Sequence, residues 1–410
     1  MSGGFWLVLL SQGISLTGNG IQQIALPLWI LQETGSALST GAAFALQFVP
    51  IVVLAPWAGH IADRFDRRTL IIVCELLAAV SVAGLIAAVN AGALPLVYLL
   101  ILVTHAFNAV TMPALQAIII TLVPRENRAR SASVTEGMQA AANMLSPIGG
   151  TLLAATWGIQ TTLVANLASF VVAAALVVPL PRIPGQSALR GAARSTLAAV
   201  RVAAANRVLV WTVLTEGVYF LLFGGDLALV LLIAEREIGA GLAGICATGA
   251  AVGWLVTSLV LAKRNTRTPL SLMRLGAVGA PIAALAFVLL ATYGPVAMFG
   301  TALLLGAVNI LVVSGASTVF QQNVDAAEAG RTFAVRRAVL NSMLGLSYLL
   351  LPGVAQHGPG NAATLVIFGG LTLVAVLVGV AVASRLPASP TSTLKTSTTH
   401  SPLDDAAETS

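Results

Sequence analysis

The chain has 410 residues, of which 57% are hydrophobic and 9% charged, with a net charge of +6. A water-soluble domain carries about a quarter charged residues, so this composition excludes a soluble enzyme, and the mean hydropathy of +0.93 agrees. The two cysteines, Cys74 and Cys246, each stand inside an apolar run, which excludes a disulfide framework and a cysteine-rich metal site.

A bilayer core of about 30 Å needs about 20 apolar residues as helix, and the sequence offers twelve such runs. Its start, Met1-Ser2-Gly3-Gly4-Phe5-Trp6, lacks the basic region of a cleavable signal, so the first run, 6–31, reads as a retained helix. Gln12, Asn19 and Gln23 are spaced to share one face of it. The second run, 38–58, leads into the polar decapeptide Gly59 to Arg68. The third, 69–90, carries Glu75 near its start, where a loop arginine such as Arg67 is the expected partner. The fourth, 94–123, places His105, Asn108, Met112 and Gln116 on one face. The fifth, 131–156, contains Ser146-Pro147-Ile148-Gly149-Gly150, and the sixth spans 161–180. The connection that follows is Arg- and Ala-rich and opens with Pro181-Arg182-Ile183-Pro184-Gly185. The seventh run, 208–233, bears Glu216, Tyr219, Phe220 and Phe223, then Gly224-Gly225-Asp226, where a helix can break. Runs 240–262, 272–291, 295–320, 333–356 and 361–384 complete the set, and Asn309 is the clearest polar residue of the tenth. The runs lack the period-two alternation and short length of barrel strands, so they read as helices.

The basic residues order these helices in the bilayer. Of 21 Lys and Arg, 20 fall on the even-numbered connections and the C-terminal tail, and only Arg236 lies on the other side. The positive-inside rule makes the basic side cytoplasmic, with both termini inside. The same placement excludes a nucleic-acid partner, because the cations are spread over six short segments. No Lys or Arg is expected deep in a span. The expected organisation is a six-helix bundle over 1–180, a cytoplasmic linker over 181–207, a second six-helix bundle over 208–384, and a disordered Ser/Thr/Pro-rich tail over 385–410. Shifting the first half by 201 positions superposes the basic loops of the two halves, as an internal repeat requires.

Gly59-His60-Ile61-Ala62-Asp63-Arg64-Phe65-Asp66-Arg67-Arg68 resembles the signature loop of the major facilitator superfamily, G-x-L-A-D-R-x-G-R-R/K, and stands where that family carries it. Gly59, Ala62, Asp63, Arg64, Arg67 and Arg68 match, and Asp66 occupies the place of the second glycine. The resemblance implies an all-α membrane fold of twelve transmembrane helices in two pseudo-symmetric six-helix bundles. It implies a gate in which Gly59 admits a close helix and Asp63 meets the start of span eleven, near Arg336 and Arg337. The 146–150 segment is similar to the antiporter pattern G-P-x-x-G, in which Pro147 and Gly150 would kink span five and seal it against a neighbour. Span four lacks the R-x-x-Q-G pattern common in the family. With Val123-Pro124-Arg125-Glu126 after it, this is similar to the twelve-span drug:proton antiporter branch of macrolide and siderophore exporters.

In that family spans one, four, seven and ten line the central cavity, so Gln12, Asn19, Gln23, Asn108, Met112, Gln116, Tyr219, Phe220, Phe223 and Asn309 become candidate lining residues. Amides of membrane helices also bridge helices, and either role is open for each of them. The mixture of apolar, aromatic and amide groups suits a bulky amphipathic organic substrate. No P-loop is present, so a transmembrane gradient is the expected drive, with Glu216, Asp226 and His105 as candidate proton-coupling groups. The expected protein is a monomeric bacterial inner-membrane transporter without cofactor or metal, exporting small molecules against protons. A nutrient importer on the same fold and a non-transporting receptor or scaffold are the alternatives.

Overall fold

The computed structural model describes residues 3–124, 127–183, 206–263, 269–324 and 329–385. Within these, a scattering of side chains, those of Gly59, Asp63, Glu136 and Pro147 included, lies outside the described set. So do most of the expected linker and the expected tail from 386 onward.

The described chain is helical. In order the helices are α1 (Gly3–Thr34), α2 (Ala37–Leu46), α3 (Val49–Arg64), α4 (Arg67–Asn90), α5 (Leu94–Leu122), α6 (Arg128–Val177), α7 (Arg207–Phe223), α8 (Asp226–Ile238), α9 (Ala240–Lys263), α10 (Pro269–Leu290), α11 (Pro295–Asn323), α12 (Ala329–His357) and α13 (Asn361–Ala383). Among the described residues, ten segments are long and apolar enough to cross a membrane. The expected spans outside that ten are the first and the fifth. In α1 the cause is visible: Gln12, Asn19, Gln22 and Gln23 dilute its hydropathy. The lipid-facing surface is apolar, with Val80 67%, Leu275 60% and Leu289 62% exposed, as a bilayer solvent requires.

Local sequence explains the breaks. Span two divides into α2 and α3 because Pro50, in the first turn of α3, cannot continue the α2 hydrogen-bond ladder. Span seven divides at Gly224-Gly225 into α7 and α8, at the expected place. Spans five and six form one 50-residue segment interrupted at Gly158, whose φ of 79° only glycine adopts readily. A straight helix would separate residues 146 and 169 by about 35 Å. Both pack against Gly18 to Gly20 of α1, so the chain doubles back at Gly158. Positive-φ glycines recur at 35, 92, 158, 239, 294 and 360, one in each odd-numbered connection.

Small residues allow this packing. A Cβ on Gly20 would lie 2.4 Å from Ser146, and one on Gly150 would lie 2.7 Å from the Ile21 carbonyl oxygen. Span five therefore seats on span one along the 146–150 segment. On the C-terminal side, a Cβ on Gly253 would lie 1.9 Å from the Leu303 carbonyl oxygen and one on Gly306 1.9 Å from that of Ala250, so both positions depend on the missing side chain. A core cluster of the second bundle continues into Ile24, Leu28, Leu31, Ala37, Phe44 and Ala45 of the first. The halves therefore share apolar packing near the α1–α2 turn.

The signature loop is tied to the chain after span six. Asp66 caps α4 by accepting from the Thr69 N–H at 2.9 Å, and its other oxygen accepts from the Ile183 N–H at 2.7 Å. The Arg67 N–H donates to the Ile183 carbonyl at 3.0 Å, and Arg68 donates to the Val178 carbonyl just past the end of α6. Burial pushes the Asp66 carboxyl up, but the Thr69 and Ile183 bonds and nearby Arg182 outweigh it and hold the group below the usual carboxylate range. Asp66 thus does a capping job that glycine could not, and Arg68 stabilises a helix C-terminus as well as marking topology.

Candidate functional site

Among the described residues, sequence candidates line two cavities. The larger, about 550 Å³, is walled by α1, the α2–α3 break, α4, α5 and α12. Six sequence candidates meet there: Gln12, Asn19 and Gln23 from α1, and His105, Asn108 and Met112 from α5. The two polar stripes therefore face each other, as helical spacing requires. Asn108 donates to the Asn19 amide oxygen at 3.3 Å, bridging spans four and one at the wall. His105 is held by its Nδ1 against the Ile101 carbonyl at 2.9 Å.

Gln12 differs from the others. Its side chain is 2% exposed, and among the described residues neither end of its amide has a partner. Gln47, at the break in span two, donates to the Ala43 carbonyl at 3.2 Å and leaves its own amide oxygen unpartnered. A buried polar group without a partner costs about 1–3 kcal/mol. Both residues line the cavity, so a molecule entering it meets hydrogen-bonding capacity the protein leaves unused.

Glu75 also lines this cavity. It is 3% exposed and accepts from the Ser15 hydroxyl at 3.1 and 3.4 Å. Its partner is therefore Ser15 of span one, and not the loop arginine expected. Sequence reasoning placed it at the membrane edge. Its spacing with Ile71, Ala78, Val82 and Leu85, all buried, was the signal that it belongs to an inward face.

The smaller cavity, about 340 Å³, holds Phe220, Asp226 and Asn309 of the candidates, with Trp254 and Tyr348. Asp226 stands at the start of half-helix α8, where unpaired N–H groups favour an anion. The expected span-seven stripe is divided by its own geometry. Tyr219 and Phe223 are 0% exposed and belong to the apolar core, at ring distances of 5.8 Å from Tyr219 to Phe220 and 6.2 Å from Tyr219 to Phe223. Residues one apart on a helix point about 100° away from each other, so only Phe220 reaches a cavity.

Two further candidates lie elsewhere. Gln116 is exposed and outside the cavity wall, which α5 lines as far as Leu115. Glu216 is 0% exposed and paired with Arg336, whose Nε and Nη2 reach its two oxygens at 2.8 and 2.6 Å. Nη2 also donates to Ser317 at 2.7 Å, and the guanidinium lies 5.1 Å over the Phe320 ring. Arg336 is thus not a free loop cation but a buried ion-pair partner that ties α7, α11 and α12 together. Sequence alone counts it with the loop cations after span ten; in the structure it stands at the start of the Val335–His357 span with its guanidinium on Glu216. Of the gating motif, Gly59 and Asp63 fall on side chains outside the described set, while Arg64 is exposed and Arg67 is 8% exposed.

The sequence matches the Major Facilitator Superfamily over residues 8–348. The chain belongs to this superfamily. It is 29% identical over 182 residues to Macrolide efflux protein A of Streptococcus pyogenes, covering 44% of this chain and 45% of that protein. It is 29% identical over 157 residues to Enterobactin exporter EntS of Shigella flexneri, covering 38% of each. These matches span less than half the length of either relative. The fold is that of the solved nucleoside transporter NupG, at a TM-score of 0.75 and 14% identity over 94% of this chain and 100% of that one. The superfamily assignment makes the chain a multi-pass membrane protein.

Proposed function

We propose that this superfamily member is a proton-coupled exporter of amphipathic small molecules that works by alternating access. The bundles over 1–180 and 208–384 would rock about the two cavities, with 181–207 as the link and 385–410 as a tail. The protein would sit in the bacterial plasma membrane as a monomer with both termini cytoplasmic. Gly59, Asp63, Arg64, Arg67 and Arg68 would form its gate. The observation that carries the reading is the 550 Å³ cavity with the unpartnered Gln12 amide in its wall. A mostly apolar chamber with a few convergent amides suits a drug-sized amphipath. A sugar would need denser hydrogen bonding. Two relatives with exporter names support the direction.

The test is transport of a labelled macrolide and of a lipophilic fluorescent amine in everted vesicles under an imposed proton gradient. Gradient-driven accumulation is expected for the wild type. Depletion of substrate from everted vesicles would favour an importer, and no flux beyond protein-free vesicles would favour a receptor. Gln12→Leu removes a buried amide that has no partner, so its midpoint of thermal unfolding should rise. Its substrate affinity should fall at least about tenfold, the worth of one good hydrogen bond. A stabilised variant that transports like the wild type would remove Gln12 from the site.

A further inference from the structure

Three membrane-embedded acids have described side chains inside the bundles, and their surroundings differ. Glu216 is neutralised by a two-pronged contact with Arg336. Asp226 faces the smaller cavity from a helix N-terminus. Glu75 lines the larger cavity and has a hydroxyl, Ser15, as its partner. An acid at bilayer depth either meets a compensating charge or carries a proton.

We propose that Glu75 is the proton-exchanging carboxyl of the transport cycle, loading a proton from the cavity and giving it up when substrate occupies the same chamber. This rests on the exporter reading above. The chemistry is one O–H bond made and broken at the Glu75 carboxyl, with the proton passing to and from cavity water. In the carboxylate form Ser15 donates to it. Arg336, the cation nearest Glu216, is committed to that residue and to Ser317, so Glu216 is a fixed pair and not a shuttle.

Among the described residues, the charged and titratable groups around Glu75 are few. His105 of α5 and Arg337 of α12 share its cavity. Arg337 is exposed, and His105 is tied to the Ile101 carbonyl. Cys74 is its neighbour on α4, and α1 contributes Ser15 and the uncharged amides. Arg64 of α3 and Arg130 of α6 are exposed, and the side chains of Asp63 on α3 and Glu136 on α6 lie outside the described set. Gln12 and Gln47 in the same wall place substrate-binding capacity beside the acid, so a bound molecule and a carboxyl proton share one space.

The test reads the proton itself. Infrared difference spectra of the full-length protein in lipid are recorded as pH is raised, following the carbonyl band of a protonated carboxyl. The wild type should show the band at mildly acidic pH and lose it as pH rises. Glu75→Gln should abolish that titrating band, Glu75→Asp should restore it at a shifted frequency, and Asp226→Asn and Glu216→Gln should retain it. Ser15→Ala, which keeps the Glu75 carboxyl and removes only the hydroxyl that donates to it, should move the pH at which the band disappears. In everted vesicles Glu75→Gln should lose gradient-driven accumulation. A wild-type band persisting in Glu75→Gln, or abolished in Asp226→Asn instead, overturns the proposal. If wild-type vesicles still accumulate substrate in that case, the exporter reading stands and only the assignment of Glu75 falls.

Discussion

Arg336→Ala is expected to destabilise the protein by about 3–5 kcal/mol, because it leaves the Glu216 carboxylate buried without its cation. The loss is larger than for a surface pair because Glu216 is 0% exposed and Arg336 makes three hydrogen bonds from one guanidinium. The pair joins α7 to α12, and Ser317 and Phe320 bring in α11, so breaking it loosens three helices at once. The double variant Glu216→Leu with Arg336→Met should unfold close to the wild type, since replacing both members of a buried pair by apolar groups is near neutral. Methionine also keeps the packing over Phe320 that the guanidinium now supplies. The measurement is the midpoint and denaturant dependence of unfolding for the purified protein in one detergent, with wild type, both single variants and the double variant compared as a cycle. A shuttle role for Glu216, the first reading from sequence, gives a different pattern: Glu216→Gln would fold normally and lose only its response to pH. Arg336→Ala unfolding like the wild type would contradict the fixed-pair assignment.

The legible and illegible parts of this molecule divide along one physical line. Features set within a single helix were readable. The α1 and α5 stripes converge because side chains seven, four and three residues apart share a face, and six of those residues do meet in one chamber. The break before Asp226 was readable from two adjacent glycines. The division of span two follows from Pro50, which was present in the sequence and went unread. Features set between helices were not readable. Nothing near Glu216 in the sequence points to Arg336, 120 positions away, and nothing near Glu75 points to Ser15, 60 positions away. Arg336 counted as a loop cation because a helix start looks alike whether its side chains turn outward or into the bundle. Tyr219 and Phe223 were taken with Phe220 as one stripe, and the partner helices decided which ring met a cavity. The signature loop shows the same limit. Its pattern identified the family, but the use of Asp66 to bind Thr69 and Ile183 depends on where the chain after span six returns.

Gly41→Ala should wedge the two halves apart at one end and abolish transport. A Cβ on Gly41 would lie 2.0 Å from the Tyr348 carbonyl oxygen and 2.9 Å from Pro352, and a backbone oxygen cannot swing aside as a side chain could. Around this contact Tyr348 stacks on Phe44 at 4.8 Å and on Phe48 at 5.9 Å. Toward the α1–α2 turn, Gln356 accepts from the Ser36 hydroxyl and the Leu38 N–H, both at 3.0 Å. These contacts join α2 of the first bundle to α12 of the second, so they exist only while the halves are closed at this end. Overpacking of a fitted contact costs about 1–3 kcal/mol, enough to shift a two-state equilibrium by about 5- to 150-fold. The state lacking the α2–α12 contact relieves the clash at no cost to the fold within either bundle. The fold should therefore survive while the population moves. A crosslink between Ser36→Cys and Gln356→Cys reports closure directly, and its yield should drop about tenfold when Gly41→Ala is added. Gly300→Ala is the control, because a Cβ there meets nothing within 4 Å, and it should leave both crosslinking and transport unchanged. Full crosslinking in Gly41→Ala would show that the α2–α12 contact yields without opening, and closure at this end would then have to be held by other residues.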